Sequence, residues 1–320
     1  MIKVAQIDPN GLCNSKCWFC PVAYSPNPAI ARKNMPINDI ESILKQLHAG
    51  IGDFVDPDYT FFWPSHFNEI LLYPHFEEMV QLYQKYNFKL IIFSNGVNLT
   101  PEQVDTINKY TDTIQHITLN IPSAFQDQWS QYTGFNKNIF TKLINNLEYV
   151  NTNLSSDISW AIQVNNFNED SLVSNGGTVE IMENAPQINL DRNNGDLMNT
   201  INKFKEMFSR ANVYPDNNNV DRAGYLKKLS IFSNEQYLNR VSDNGTKKVV
   251  GCSERRAEEF LHINANGDVF LCCCDYDFDT VFGNIYQDSI RDIWNSVERK
   301  NMISKSFSNF CTNCALAIWE

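Results

Sequence analysis

Residues 13–20, CNSKCWFC, place Cys13, Cys17 and Cys20 within eight positions near the start of the chain. Three thiolates on one short loop can hold three irons of a cubane 4Fe-4S cluster and leave the fourth iron without a protein ligand, open to a substrate or cofactor. A structural zinc site closes with four ligands, so a distant cysteine or histidine would have to complete it. Three incidental buried thiols fit poorly, because Asn14, Ser15 and Lys16 lie between them. The other cysteines, Cys252, Cys272, Cys273, Cys274, Cys311 and Cys314, lie at the far end, with none in residues 21–251. Nine cysteines is an odd count, and the start MIKVAQIDPN carries no export signal. Together these point to metal ligands or reduced thiols in a cytoplasmic protein rather than a disulfide framework.

CNSKCWFC resembles the C-x3-C-x-aromatic-C signature of the radical S-adenosylmethionine (SAM) superfamily, with Phe19 in the aromatic position, packing on the adenine side. The resemblance implies a chemistry: SAM chelates the open iron and is cleaved reductively to methionine and a 5'-deoxyadenosyl radical, which abstracts a substrate hydrogen. It also implies an electron donor such as flavodoxin or ferredoxin. Over residues 2–185, four further stretches resemble the family pattern in the right order. In NEILLYPHF, Glu69 takes the place of the carboxylate facing the SAM amino group, although Phe67 and Asn68 replace the usual glycines. The plain alternative is a surface glutamate opening a helix. FSNGVNLT places Ser94 and Asn95 at the stretch after the third strand, where turn chemistry alone would also explain Asn-Gly. ITLNIPS places Thr118 and Asn120 at positions that meet SAM, Asn120 without the usual charge, and Asn165 ends a fifth strand.

At the far end, Cys252 and Cys272 with Gly267 between them read C-x14-G-x4-C, and Cys311 and Cys314 follow as CTNC. This is similar to the auxiliary-cluster domain called SPASM, or to its shortened form, twitch. Four thiols suit one auxiliary 4Fe-4S cluster, giving two 4Fe-4S clusters in all, and a zinc knuckle on the same four is the rival. If CCC lies on a strand, Cys272 and Cys274 share one face and Cys273 the other. The Gly spacing selects Cys272, leaving Cys273 and Cys274 as small buried residues, spare ligands or hydrogen-atom donors. His66 and His75 flank the Glu69 segment as candidate acid-base groups, and Arg222 and Tyr225 in DRAGYL, within the bridge segment, are candidate substrate contacts.

The elements that must position these residues alternate. Strand-like IKVAQID, YTFFWP, KLIIFS, QHITLNI and DISWAIQV are separated by helix-like INDIESILKQLHAG, HFEEMVQLYQKY, TPEQVDTINKY and a segment at 138–150, with a weaker sixth strand at GTVEIM. Thr100, Pro101 and Gln103 predict a capped helix start with a capping-box partner. This α/β pattern predicts a partial (β/α)6 TIM-type barrel over 1–185, with chemistry at the carboxyl ends of the strands. An Asn-rich bridge or substrate-facing segment follows over 186–250, with one helix at 196–210. A small α+β twitch domain spans 251–320, in which EFLHINANGDVFLCCC is a hairpin and SIRDIWNSVERK one helix.

The 320-residue chain is 43% hydrophobic with net charge -11. That acidity argues against nucleic acid as a partner, and no window reaches the roughly 18 apolar residues of a membrane span. The expected function is hydrogen abstraction leading to net oxidation, by dehydrogenation or cross-linking, of a small molecule or peptide. The barrel strand begins the chain directly, which lowers the peptide expectation. The alternatives are a redox-neutral epimerase with a cysteine hydrogen donor and a noncatalytic iron-sulfur or zinc partner protein.

Overall fold

Short apolar runs form β1 (Val4–Ile7), β2 (Phe61–Trp63), β3 (Leu90–Ser94), β4 (Ile114–Asn120) and β5 (Ser159–Asn165), which lie side by side in parallel. The computed structural model describes residues 1–17, 20, 32–56, 58, 60–165, 194–216, 248–314 and 316–320. Helices α1 (Ile37–Ala49), α2 (Phe76–Lys85), α3 (Pro101–Asn108), α4 (Gln126–Thr133) and α5 (Lys137–Asn153) connect the strands. Ile7, Phe62, Ile92, Ile117 and Ile162 are fully or almost fully buried in the main core, each such burial contributing about 2 kcal/mol. The intervening positions, including Gln6, Trp63, Phe93 and Asn120, line the inner cavity, as period-two alternation requires.

The sixth strand, β6 (Asn212–Asp216), pairs in parallel with β5 and follows α6 (Asn194–Met207). The barrel sheet thus runs past the expected boundary at 185 and takes in part of the segment read as a bridge. NVYPD has no continuous apolar run, and Pro215 is tolerated because β6 ends the sheet, so strand periodicity could not find it. The expected strand GTVEIM lies outside the described residues.

The C-terminal segment extends the same sheet. β8 (Phe260–Ile263) pairs in parallel with β1, β9 (Asp268–Phe270) returns antiparallel, and β10 (Val281–Asn284) forms the edge. The hairpin turn falls at Asn266-Gly267 as expected. Gly267 has φ +81°, and a Cβ there would meet the Tyr286 ring at 2.6 Å, so glycine is required. β7 (Val249–Cys252) and β11 (Ala317–Trp319) form a separate antiparallel pair. The short helix α7 (Arg256–Glu259) follows β7.

Two local expectations change. SIRDIWNSVERK is two helices, α8 (Ile290–Asn295) and α9 (Val297–Ser308), because Ser296 turns extended and accepts the Arg299 N–H at 3.0 Å. Thr100 accepts from the Gln103 N–H at 3.4 Å, but the Gln103 side-chain oxygen is buried without a partner, so the reciprocal half of the capping box is not made. Among the described residues, no helix is long and apolar enough to cross a membrane.

Candidate active site

The loop after β1 brings Cys13, Cys17 and Cys20 to the wall of a 340 Å³ cavity that Glu69, Ser94, Asn95 and Asn120 also line. Ser15 Oγ lies 3.1 Å from Cys13 Sγ and 3.5 Å from Cys17 Sγ. The loop is tied down at Asn14, whose side-chain oxygen accepts from Asn95 Nδ2 at 2.8 Å, and at Lys16, whose N–H donates to the Thr133 carbonyl at 2.8 Å. Burial pushes the Cys13 thiol up to about 11 and Cys17 higher still, the latter with added repulsion from Cys20. Thiols this costly to ionise become thiolates when a cationic metal group binds them, so the donor set fits an iron cluster with one open position. Phe19 lies outside the described residues.

Glu69 is 2% exposed, which overturns the surface-glutamate alternative. Its Oε1 accepts from Ser94 Oγ at 2.8 Å and from the Leu71 N–H at 3.2 Å, and its Oε2 accepts from the Asn95 N–H at 2.8 Å. Burial raises its pKa against these hydrogen bonds. Glu69 therefore joins the ends of the second and third βα units, and its own N–H bonds the Leu12 carbonyl beside the cysteine loop at 2.7 Å. Gly96 sits at φ +78° and donates to Ser94 Oγ at 3.0 Å. Asn120 donates to Gln163 Oε1 at 3.3 Å. Thr118 and Asn165 are buried on β4 and β5 but are not among the cavity-lining residues.

The second set gathers elsewhere. Cys252, Cys272, Cys311 and Cys314 line a separate cavity of only 20 Å³. Burial, followed by repulsion from Cys252 and Cys274, pushes the Cys311 thiol up to about 12. The CCC run is not on a strand: β9 ends at Phe270, and the chain then turns, with the Asp275 N–H donating to the Cys272 carbonyl at 2.9 Å. Alternation does not apply there, and the three sulfurs lie within 4.8 Å of one another. Cys273 lines the first, larger cavity, while Cys274 is hydrogen bonded to Cys314. Arg256 borders both cavities and reaches Cys273 Sγ at 2.7 Å through Nη1.

Sequence reasoning missed Gln6, Trp63, Arg256 and the Asp8 partner of His66. His66 is almost fully buried, with Nδ1 3.6 Å from Asp8 Oδ2 and Nε2 2.8 Å from the Cys273 carbonyl. Burial alone lowers its pKa, but the Asp8 carboxylate and the Cys273 thiol side chain outweigh burial and raise it to about 9. The available signal was Asp8 itself, an acid directly after a buried strand. His75 is half-exposed and pairs with Glu78 at 3.1 Å, away from the cavity. Arg222 and Tyr225 lie outside the described residues.

Residues 7–159 match the family model of the radical SAM superfamily, and residues 252–315 match that of the SPASM iron-sulfur cluster-binding domain. The chain is a radical SAM enzyme with a SPASM-type domain. A radical SAM domain binds SAM and a 4Fe-4S cluster, and a SPASM domain binds auxiliary iron-sulfur clusters. Solved structures share the fold at low identity. BtrN in complex with AdoMet and 2-DOIA is 16% identical at TM-score 0.58, the match covering 98% of this chain and 93% of that one. Native anSMEcpe with bound AdoMet is 14% identical at TM-score 0.60, covering 95% and 83%. Streptococcus suis SuiB bound to the precursor peptide SuiA is 16% identical at TM-score 0.56, covering 99% and 70%. No curated protein matches the chain.

Proposed function

We propose that the protein abstracts a hydrogen atom from a small molecule or peptide and completes a net oxidation, acting in the cytoplasm with flavodoxin or ferredoxin as electron donor. The supporting observation is the separation of the two thiol sets: one opens on a 340 Å³ cavity, the other encloses 20 Å³. Cys13, Cys17 and Cys20 would hold the SAM-binding cluster and Cys252, Cys272, Cys311 and Cys314 the auxiliary one. When bound, SAM and the first cluster supply the hydrogen-abstracting radical, and the second cluster supplies a one-electron sink. Glu69 orders the SAM side of the cavity by fixing Ser94 and Asn95, with Asn120 beside them and Thr118 and Asn165 buried on β4 and β5 behind it. The aromatic lining of Phe93, Trp129 and Phe135 excludes water. His66, charged at neutral pH, holds the Cys273 carbonyl and with it the segment between the two cavities.

Cys273 favours a second reading. Its place on the wall of the larger cavity lets its S–H return a hydrogen atom to a substrate radical, which would make the outcome a redox-neutral epimerisation. The sulfur radical left behind then needs one electron and one proton, from the flavodoxin or ferredoxin and from solvent. Anaerobic reconstitution tests both readings. About eight irons per chain, 5'-deoxyadenosine formation with dithionite and an oxidised product support the first. Incorporation of one solvent deuterium into product, lost in Cys273→Ala, supports the second. Bound zinc without SAM cleavage removes both.

A further inference from the structure

Arg256 is the charged side chain common to both cavities, and its partners are thiols. Its Nη1 lies 2.7 Å from Cys273 Sγ and 3.6 Å from Cys274 Sγ. Its strongest electrostatic neighbours are Cys273, Cys274, Cys272 and Cys252, in that order. None of the carboxylate ion pairs among the described residues includes it. The side chain is half-buried, with Nε shielded and unpaired. Its helix is held by a second arginine: Arg299 on α9 stacks on the Trp294 ring at 3.7 Å and donates through Nη2 to the Glu258 and Ala257 carbonyls at 2.7 and 3.1 Å. Glu258, an acid on the same helix, interacts with Arg299 and Cys311 instead.

A cation taken partly out of water costs free energy unless negative charge meets it. Neutral thiols supply none, whereas a cubane held by four thiolates is anionic and gains a further negative charge when reduced. Arg256 is therefore matched to metal-bound thiolates rather than to the thiols alone. The potential of such a cluster follows the charge around it, and a fixed, poorly screened cation nearby favours the reduced form. The first set has an acid at its side instead, Glu69 acting on Cys13.

We propose that Arg256 sets the reduction potential of the auxiliary cluster, stabilising its reduced form and so drawing the electron of the substrate radical from the larger cavity to the smaller one. The proposal rests on the net-oxidation reading for the source of that electron. One electron leaves the substrate radical for the auxiliary cluster and one proton leaves it for solvent, and the electron then passes to the oxidised flavodoxin or ferredoxin. Arg256 acts through its field, as a positioning residue for the transferred charge.

The test is a redox titration of the reconstituted holoenzyme followed by electron paramagnetic resonance, with Cys17→Ala, which lacks the SAM-binding cluster, identifying the auxiliary signal. Arg256→Gln should move the balance of reduced to oxidised auxiliary cluster about tenfold toward oxidised, a fall of about 59 mV in its one-electron midpoint. Arg256→Lys keeps the charge and should recover most of that shift, and the midpoint of the SAM-binding cluster should move less. An unchanged auxiliary midpoint in Arg256→Gln, an equal fall in the glutamine and lysine variants, or an equal shift of both clusters would overturn the proposal. Where Arg256→Gln does not hold auxiliary iron, Arg256→Met carries the same measurement. Loss of that iron from both would overturn the proposal, because Arg256 would then be a structural support, as would zinc in place of iron in the second set. Failure of the wild type to form an oxidised product would remove the net-oxidation reading instead and leave the midpoints standing.

Discussion

The two thiol sets use the same side chain for opposite geometries. The first sits on a loop at the carboxyl ends of parallel strands, beside a cavity large enough for a cofactor and substrate. The second is drawn from β7, the turn after β9 and the segment after α9, and closes on a space too small for more than a metal group. Openness follows from where the backbone ends. A parallel sheet leaves a crevice at its carboxyl edge, whereas four thiols from three segments wrap what they bind. Arg256, between the two, is the charged group that both cavities share.

The sharpest way to break this comparison is to remove one thiol from each set. Cys17→Ala should lose about half of roughly eight irons and all SAM cleavage. Cys311→Ala should lose about half of the iron, keep SAM cleavage and yield no oxidised product. Iron analysis and chromatography of 5'-deoxyadenosine check both; if either variant loses all the iron, the two sets are one site.

Next in size is His66, which ties the barrel to the second set through the Cys273 carbonyl. Its pKa is raised from 6.5 to about 9, so the fold favours the charged ring. That contribution is fully present below about pH 6.5 and disappears as pH rises through about 9. His66→Gln should therefore cost about 3 kcal/mol at pH 6 and almost nothing from this source at pH 10. Urea titrations of wild type and variant across this range check the prediction, and a pH-independent gap would sink it. The smallest effect is expected at Ser296, the cap of the helix leading to Cys311. Ser296→Ala should cost about 1 kcal/mol and loosen the second set alone, seen as faster loss of auxiliary iron to a chelator.

Much of the barrel was legible. Five strands and their helices announce themselves through short apolar runs and helical spacing, because local backbone preference and core burial agree there. β6 was not legible, since an edge strand with Pro215 carries little apolar pattern. The single helix read at 289–300 also failed, since Ser296 stops it through a local side-chain bond that spacing does not register.

The sequence by itself determined which side chains are candidate ligands and how they group: three thiols on one loop, six more in the C-terminal segment, and a glutamate in the family's order between them. These depend on short-range spacing, which the chain carries in its covalent order. Tertiary structure decided which thiol faces which space, because Cys272, Cys273 and Cys274 diverge only where the chain turns off β9. It also decided that Asp8 meets His66 and that Gln6, Trp63 and His262 share one row, because contacts between distant segments depend on strand register rather than on local pattern.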